Sequence, residues 1–199
     1  MPRLENIALK TPIWISGRGF FNKMNKLIYI LFFISTIFCS KIINKTTDNI
    51  EDLFPNHISI EHKMYKIPKD LKKSIQNTAK QKFFRPELNL WVITNEDSSK
   101  YYGILDNVKG KSLPITFLTV FNDSSQVYHS EIIKYREAYG GEVGSRSWLN
   151  QFNLYTDKSK YKVGDDISGI TGATISVHSI SKGIRKLSYL INEIIENDK

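Results

Sequence analysis

The sequence predicts an α+β domain: a small antiparallel sheet packed with helices, an amphipathic C-terminal helix, and an N-terminal signal or anchor segment. Three observations carry that expectation. Two pairs of strand-like runs are each joined by a short Asn/Asp/Ser cluster, the mark of antiparallel hairpins. Near the end, Ile180, Ile184, Leu187, Ile191 and Ile194 form an apolar stripe at three- and four-residue steps, with Lys182, Arg185 and Lys186 on the other side. Near the start, no charge occurs between Lys26 and Lys41. A chain of 199 residues can build one domain with a proper core plus an appendage. The expected organisation is therefore 1–26 as a cytoplasmic tail or upstream extension, 27–40 as a signal-peptide core or membrane anchor, 41–66 as a linker, and 67–199 as the folded domain.

Each element follows from local pattern. The uncharged run opens with Leu27-Ile28-Tyr29-Ile30-Leu31-Phe32-Phe33-Ile34 and reaches Cys39. That length suits a signal-peptide core, whereas a spanning helix needs about 20 apolar residues. Arg3, Lys10, Arg18, Lys23 and Lys26 precede it, and the positive-inside bias puts the folded part across the membrane. Met24 just before the run is an alternative start to Met1. Residues 41–60 are polar and mixed, and read as part of a linker. Pro68, then Leu71, Ile75, Ala79 and Phe83, predict a helix from Pro68 to about Lys82. Leu88–Ile93 and Tyr101–Leu105 predict one hairpin across Asn95–Ser99; Pro114–Phe121 and Gln126–Tyr135 predict a second across Asn122–Ser125. The last helix is expected from Ser176 to Glu196.

Composition narrows the function. A formal charge of +8 and a pI near 9.4 raise nucleic acid or an anionic membrane surface as partners. The lysines are scattered, and the dense group at Lys69–Lys82 reads as the wet face of a helix, so no nucleic-acid partner is expected. One cysteine, Cys39, rules out an intrachain disulfide and a multi-cysteine metal site. His57, His62, His129 and His178 show no zinc-like spacing, so no metal is expected. His129, Glu131 and Lys134 lie on strands and are expected to be solvent-facing or paired rather than catalytic.

The chemistry-bearing stretch is Ser168-Gly169-Ile170-Thr171-Gly172-Ala173-Thr174-Ile175-Ser176, running straight into the last helix. Small residues leave room for an approaching group, and a helix start offers unpaired N–H groups to a phosphate. The plain alternative is that Thr174 or Ser176 merely caps the helix, worth about 1 kcal/mol. Upstream, Tyr135-Arg136-Glu137-Ala138-Tyr139-Gly140-Gly141 places paired glycines where backbone can come close to a flat ligand. A plain turn is the alternative there.

This stretch resembles the covalent-flavin motif of the FMN-binding domain family, which includes flavoprotein subunits of sodium-pumping quinone reductases and Rnf-type electron-transport complexes. Glu137, Gly140, Gly141, Trp148 and Phe152 precede it in the family's order, and the resemblance covers roughly Tyr101 to Ile191. It implies that residues 67–199 bind FMN, attached by a phosphodiester to Thr174, with Thr171, Gly172, Ala173, Ile175, Ser176, Glu137, Gly140 and Gly141 around it. Trp148, Tyr139 or Phe152 would pack on the isoalloxazine ring. No residue need act as acid or base, so none is expected to be catalytic. The implied role is an electron carrier, exported and tethered to the membrane by its N-terminal segment. The implied partners are a flavin transferase using FAD and membrane redox proteins. One departure stands out: the family motif begins with Asp six residues before the acceptor, where this chain has Ser168, with Asp165 and Asp166 just upstream. A non-covalent flavin module, or an exported domain without cofactor, are the alternatives.

Overall fold

A computed structural model describes residues 41–198. The expectations for the leader, the anchor and the start codon lie outside the described residues. Among these, no helix is long and apolar enough to cross a membrane. The compact domain begins at Asn44.

Its centre is a five-stranded antiparallel sheet in simple sequential order. The strands are β1 (His57–Lys66), β2 (Glu87–Asn95), β3 (Lys100–Lys109), β4 (Pro114–Asn122) and β5 (Val127–Lys134). The helices are α1 (residues 41–53), α2 (Lys69–Ala79), the single turn α3 (Arg146–Leu149) and α4 (Thr174–Glu196). The predicted hairpins and both predicted helices are present. Side chains make the turns: Asp97 Oδ1 accepts the Ser99 N–H at 2.9 Å, and Asn122 Oδ1 accepts those of Ser124 and Gln126 at 3.1 and 2.9 Å. Local bonds of this kind are why Asn and Asp mark turns.

Residues 41–66 differ from the linker expected of them. They carry α1 and the edge strand β1, which pairs with β2 from His57↔Asn95 to Lys66↔Glu87. The polar composition has a structural reason. The sheet-facing side of α1 mixes Ile50 with the buried Thr46, Phe54 is buried just past its end, and Thr47 accepts the Trp91 indole N–H at 3.0 Å. Asn49 donates to Glu131 at 2.8 Å. Hydrogen bonds to the sheet thus replace part of the apolar stripe that a sequence scan looks for. β1 is exposed along most of its length, and charged residues on an edge strand block unwanted pairing.

The sheet is covered on both faces. α1 lies against Trp91, Gly103 and Leu118, while α4 lies against β3 and β4 with α2 beside it. α4 comes so close that a methyl group added at Gly183 would stand 2.6 Å from Val108 and 2.9 Å from Phe117. Within this layer Lys186 is fully buried and pairs with Asp106 at 2.5 Å. Its ammonium also donates to the Lys82 carbonyl at 3.0 Å and sits 4.3 Å from the centre of the Phe83 ring. Burial pushes the Lys186 pKa down, and Asp106 opposes that shift.

Candidate functional site

The site is built where the chain leaves β5 and where it enters α4. After Lys134 the backbone turns through Tyr135–Gly140 into a 3₁₀ turn at Gly141–Gly144, and Ser145 then caps α3. Trp148 and Phe152 enter the core from this segment edge to face, and Phe152 meets Tyr155 and Tyr161. The Trp148 indole donates to the Ser168 carbonyl at 2.8 Å, and Gln151 Oε1 accepts the Ser168 N–H at 2.7 Å. Both bonds fasten the loop that leads to Thr171–Ser176. Just before it, the Asp166 carboxylate accepts the N–H groups of Tyr161 and Lys162, at 3.0 and 2.6 Å. Asp166 therefore closes its own turn.

The small-residue stretch from Ser168 to Ser176 includes a tight turn. Ala173 donates to the Ile170 carbonyl at 3.1 Å, and Gly172 takes φ +81° at the third position, where a side chain would be strained. Ala173 is buried and stands at the helix cap without any side-chain bond. Thr174 is the first residue of α4 and is exposed, as are Thr171 and Gly172. Ile175 is 49% exposed, and Ser176 is buried. The capping alternative is thereby corrected. Thr174 and Ser176 sit inside the helix, one residue or more past the cap. The first N–H groups of α4 receive no side-chain oxygen from Ala173.

The two segments meet at Gly140. Its φ is +79°, and a Cβ built there would stand 2.8 Å from the Ala173 Cβ and 3.1 Å from the Tyr135 hydroxyl. Tyr135 donates to the Tyr139 carbonyl at 2.6 Å and lies 3.1 Å from Ser176 Oγ. Gly140, Ala173, Ser176, Tyr135 and Tyr139 are therefore one assembly, with Thr174 on its rim. Tyr135 was not among the expected site residues. Its partner is 41 positions away, and no local spacing marks it.

Other expected residues fall elsewhere. Glu137 turns to the β3–β4 hairpin, where its Oε1 accepts the Ser112 and Leu113 N–H groups at 2.7 and 2.9 Å. Those bonds, Leu113 first, hold its pKa below the usual glutamate value. Gly141 is exposed with open space at its Cβ position, so close backbone approach requires glycine at 140 alone. Phe152 is fully buried and Trp148 nearly so, each occupied by core packing. Of the three aromatics expected against a flavin ring, only Tyr139, 85% exposed, presents an open face. A cleft of about 440 Å³ lies away from this assembly, between Asn49 and Asp52 of α1, His129 and Glu131 of β5, and Arg146 of α3. None of the expected cofactor residues lines it.

The chain has no match among curated proteins. A family model does match, over residues 110–188, a span that holds β4, β5, the Gly140 turn, the Ser168 loop and the first turns of α4. The exposed Thr174 at the uncapped start of α4, and the Gly140 turn that packs on Ala173 just before it, thus lie inside a stretch, residues 110–188, that matches the FMN-binding domain.

Proposed function

We propose that this protein carries FMN on Thr174 through a phosphodiester bond and serves as an exported, membrane-tethered electron carrier. The observation that carries the reading is the placement of Thr174, exposed on the first turn of α4 with only Gly172 and Ala173 before it. A transferase has access to its hydroxyl. In the attachment step Thr174 Oγ bonds to the FMN phosphorus of FAD, the phosphoanhydride bond to AMP breaks, AMP leaves, and the hydroxyl proton is released. No oxidation state changes. Threonine is a weak nucleophile, so the activating base belongs to the transferase. The free N–H groups of the first turn favour the phosphodiester charge by about 0.3–1 kcal/mol, and more where it is partly buried. Ile175, next to the acceptor in α4, and Tyr139, next to the Gly140 turn that packs on Ala173, supply exposed apolar surface, and an offset aromatic stack is worth about 0.5–1.5 kcal/mol beyond burial. When bound, the isoalloxazine takes up and releases electrons; the chain sets where it sits and how wet it is. Export and tethering are supported by the uncharged run after Lys26 and the basic residues before it.

The test is intact mass of protein made with a flavin transferase and FAD. Wild type should gain one FMN unit and Thr174→Ala none; equal masses would remove the ester. Ser168 at the motif's Asp position favours a second reading, in which FMN is held without a covalent bond. In-gel fluorescence after denaturation separates them, since only an esterified flavin migrates with the chain.

A further inference from the structure

We infer, resting on the flavin reading above, that Tyr135 is the positioning residue of the acceptor: its hydroxyl locks the Tyr139–Gly140 turn onto Ala173 and so presents Thr174 at the open start of α4. The hydrogen-bond directions are set by chemistry. A carbonyl only accepts, so the Tyr135 proton goes to Tyr139 O at 2.6 Å. Ser176 then donates to Tyr135 Oη at 3.1 Å.

Serines deeper in the helix bond to the carbonyl four residues before them, Ser181 to Val177 at 2.8 Å and Ser188 to Ile184 at 3.2 Å, and Ser188 also meets the Tyr161 hydroxyl at 2.6 Å. Ser176 is the third residue of α4 and has no such carbonyl within the helix, so its hydroxyl reaches out to Tyr135. The contact it serves is tight, because a Cβ on Gly140 would stand 2.8 Å from Ala173 and 3.1 Å from Tyr135 Oη. The turn therefore cannot slide along α4 without breaking one of the two bonds. Without Tyr135, Ser176 would lose this partner, and the Tyr139–Gly140 turn would no longer be tied to the start of α4. Tyr135 acts through Ser176 and Ala173, so its effect falls on geometry rather than on chemistry.

Full-length wild type, Tyr135→Phe, Ser176→Ala and the double variant, each prepared without flavin, decide the matter. One arm follows FMN attachment by intact mass with transferase and FAD. The other follows amide hydrogen exchange at residues 139–141 and 173–176 in the flavin-free proteins. Misplacement of about 1 Å slows a reaction steeply, so each single variant should attach FMN about tenfold more slowly or worse. Each should also exchange faster at those amides with an unchanged unfolding midpoint, and the double variant should be no worse than either single. Wild-type attachment rate and wild-type exchange in Tyr135→Phe would overturn the inference. If wild type takes no FMN, the flavin reading fails, while unchanged exchange in Tyr135→Phe would sink the lock on its own. Should Tyr135→Phe lose its fold, Ser176→Ala decides by the same two readouts.

Discussion

Gly140 and Gly141 stand side by side in the chain but face different demands. Gly140 combines a left-handed φ of +79° with contact against Ala173, whereas Gly141 has open space around it. A left-handed L-residue costs about 1–2 kcal/mol, and overpacking at a tight contact costs about 1–3 kcal/mol. Gly140→Ala should therefore lower stability by about 2 kcal/mol or more. Gly141→Ala should stay within about 0.5 kcal/mol of wild type. Urea denaturation of the two variants reads the difference, and equal losses would contradict the placement of the turn. The sequence does not tell the two glycines apart, because what distinguishes Gly140 is a contact made 33 residues later at Ala173. Glu137 teaches the same lesson: its place in the motif is legible, but its clasp on the β3–β4 hairpin is not.

Between elements, α4 is held to the sheet by an unusually close approach and a buried charge. Gly183 lets the helix sit on Val108 and Phe117, and Lys186 meets Asp106 in the layer below. From the sequence, Lys186 belonged to the wet side of the helix. The structure buries it completely, because Asp106 of β3 waits where the helix crosses the sheet. Removing one member of such a pair strands the other without water, a loss of about 3–5 kcal/mol. Lys186→Met should show that loss by urea denaturation. Lys186→Met with Asp106→Leu should recover most of it, since two apolar groups of similar size need no partner. A double variant as unstable as the single would mean that the Lys82 carbonyl and Phe83 contacts, not the ion pair, dominate.

At the scale of the whole molecule, the chain just past α4 is fastened to the central strand β3 and to the edge strand β1. Asp198 pairs with Lys100 at 2.9 Å and Lys63 at 3.5 Å, and accepts the Tyr102 hydroxyl at 3.1 Å. Burial alone would raise its pKa, but the bonds from Lys100 and Tyr102 and the charges of Lys100 and Lys63 together lower it. A carboxylate depressed in the folded state stabilises fully above its unfolded value of about 3.9, and that share is lost as pH falls through the folded value. The lysines are nearly half exposed, so the whole cluster is worth no more than about 1 kcal/mol. Asp198→Asn should be less stable than wild type at pH 7, with the two unfolding midpoints converging in acid. A gap that persists at low pH would assign the effect to packing instead. The same scale explains why residues 41–66 matter: α1 covers the back of the sheet and β1 closes its edge, though the family match begins only at 110.

The sequence alone determined the hairpins, α2, α4 and the small-residue stretch that leads into α4, because turn chemistry, hydrophobic period and a string of small residues are local properties. It misread residues 41–66, where α1 uses threonine and asparagine bonded to the sheet in place of apolar residues, and β1 is a charged edge. Only the tertiary structure decided that Phe152 and Trp148 are core residues, that Tyr135 joins Ser176, that Lys186 is buried, and that Thr174 remains in the open. Those outcomes depend on which surfaces meet when the helices close on the sheet, and such meetings join residues too far apart in the chain for any local pattern to record.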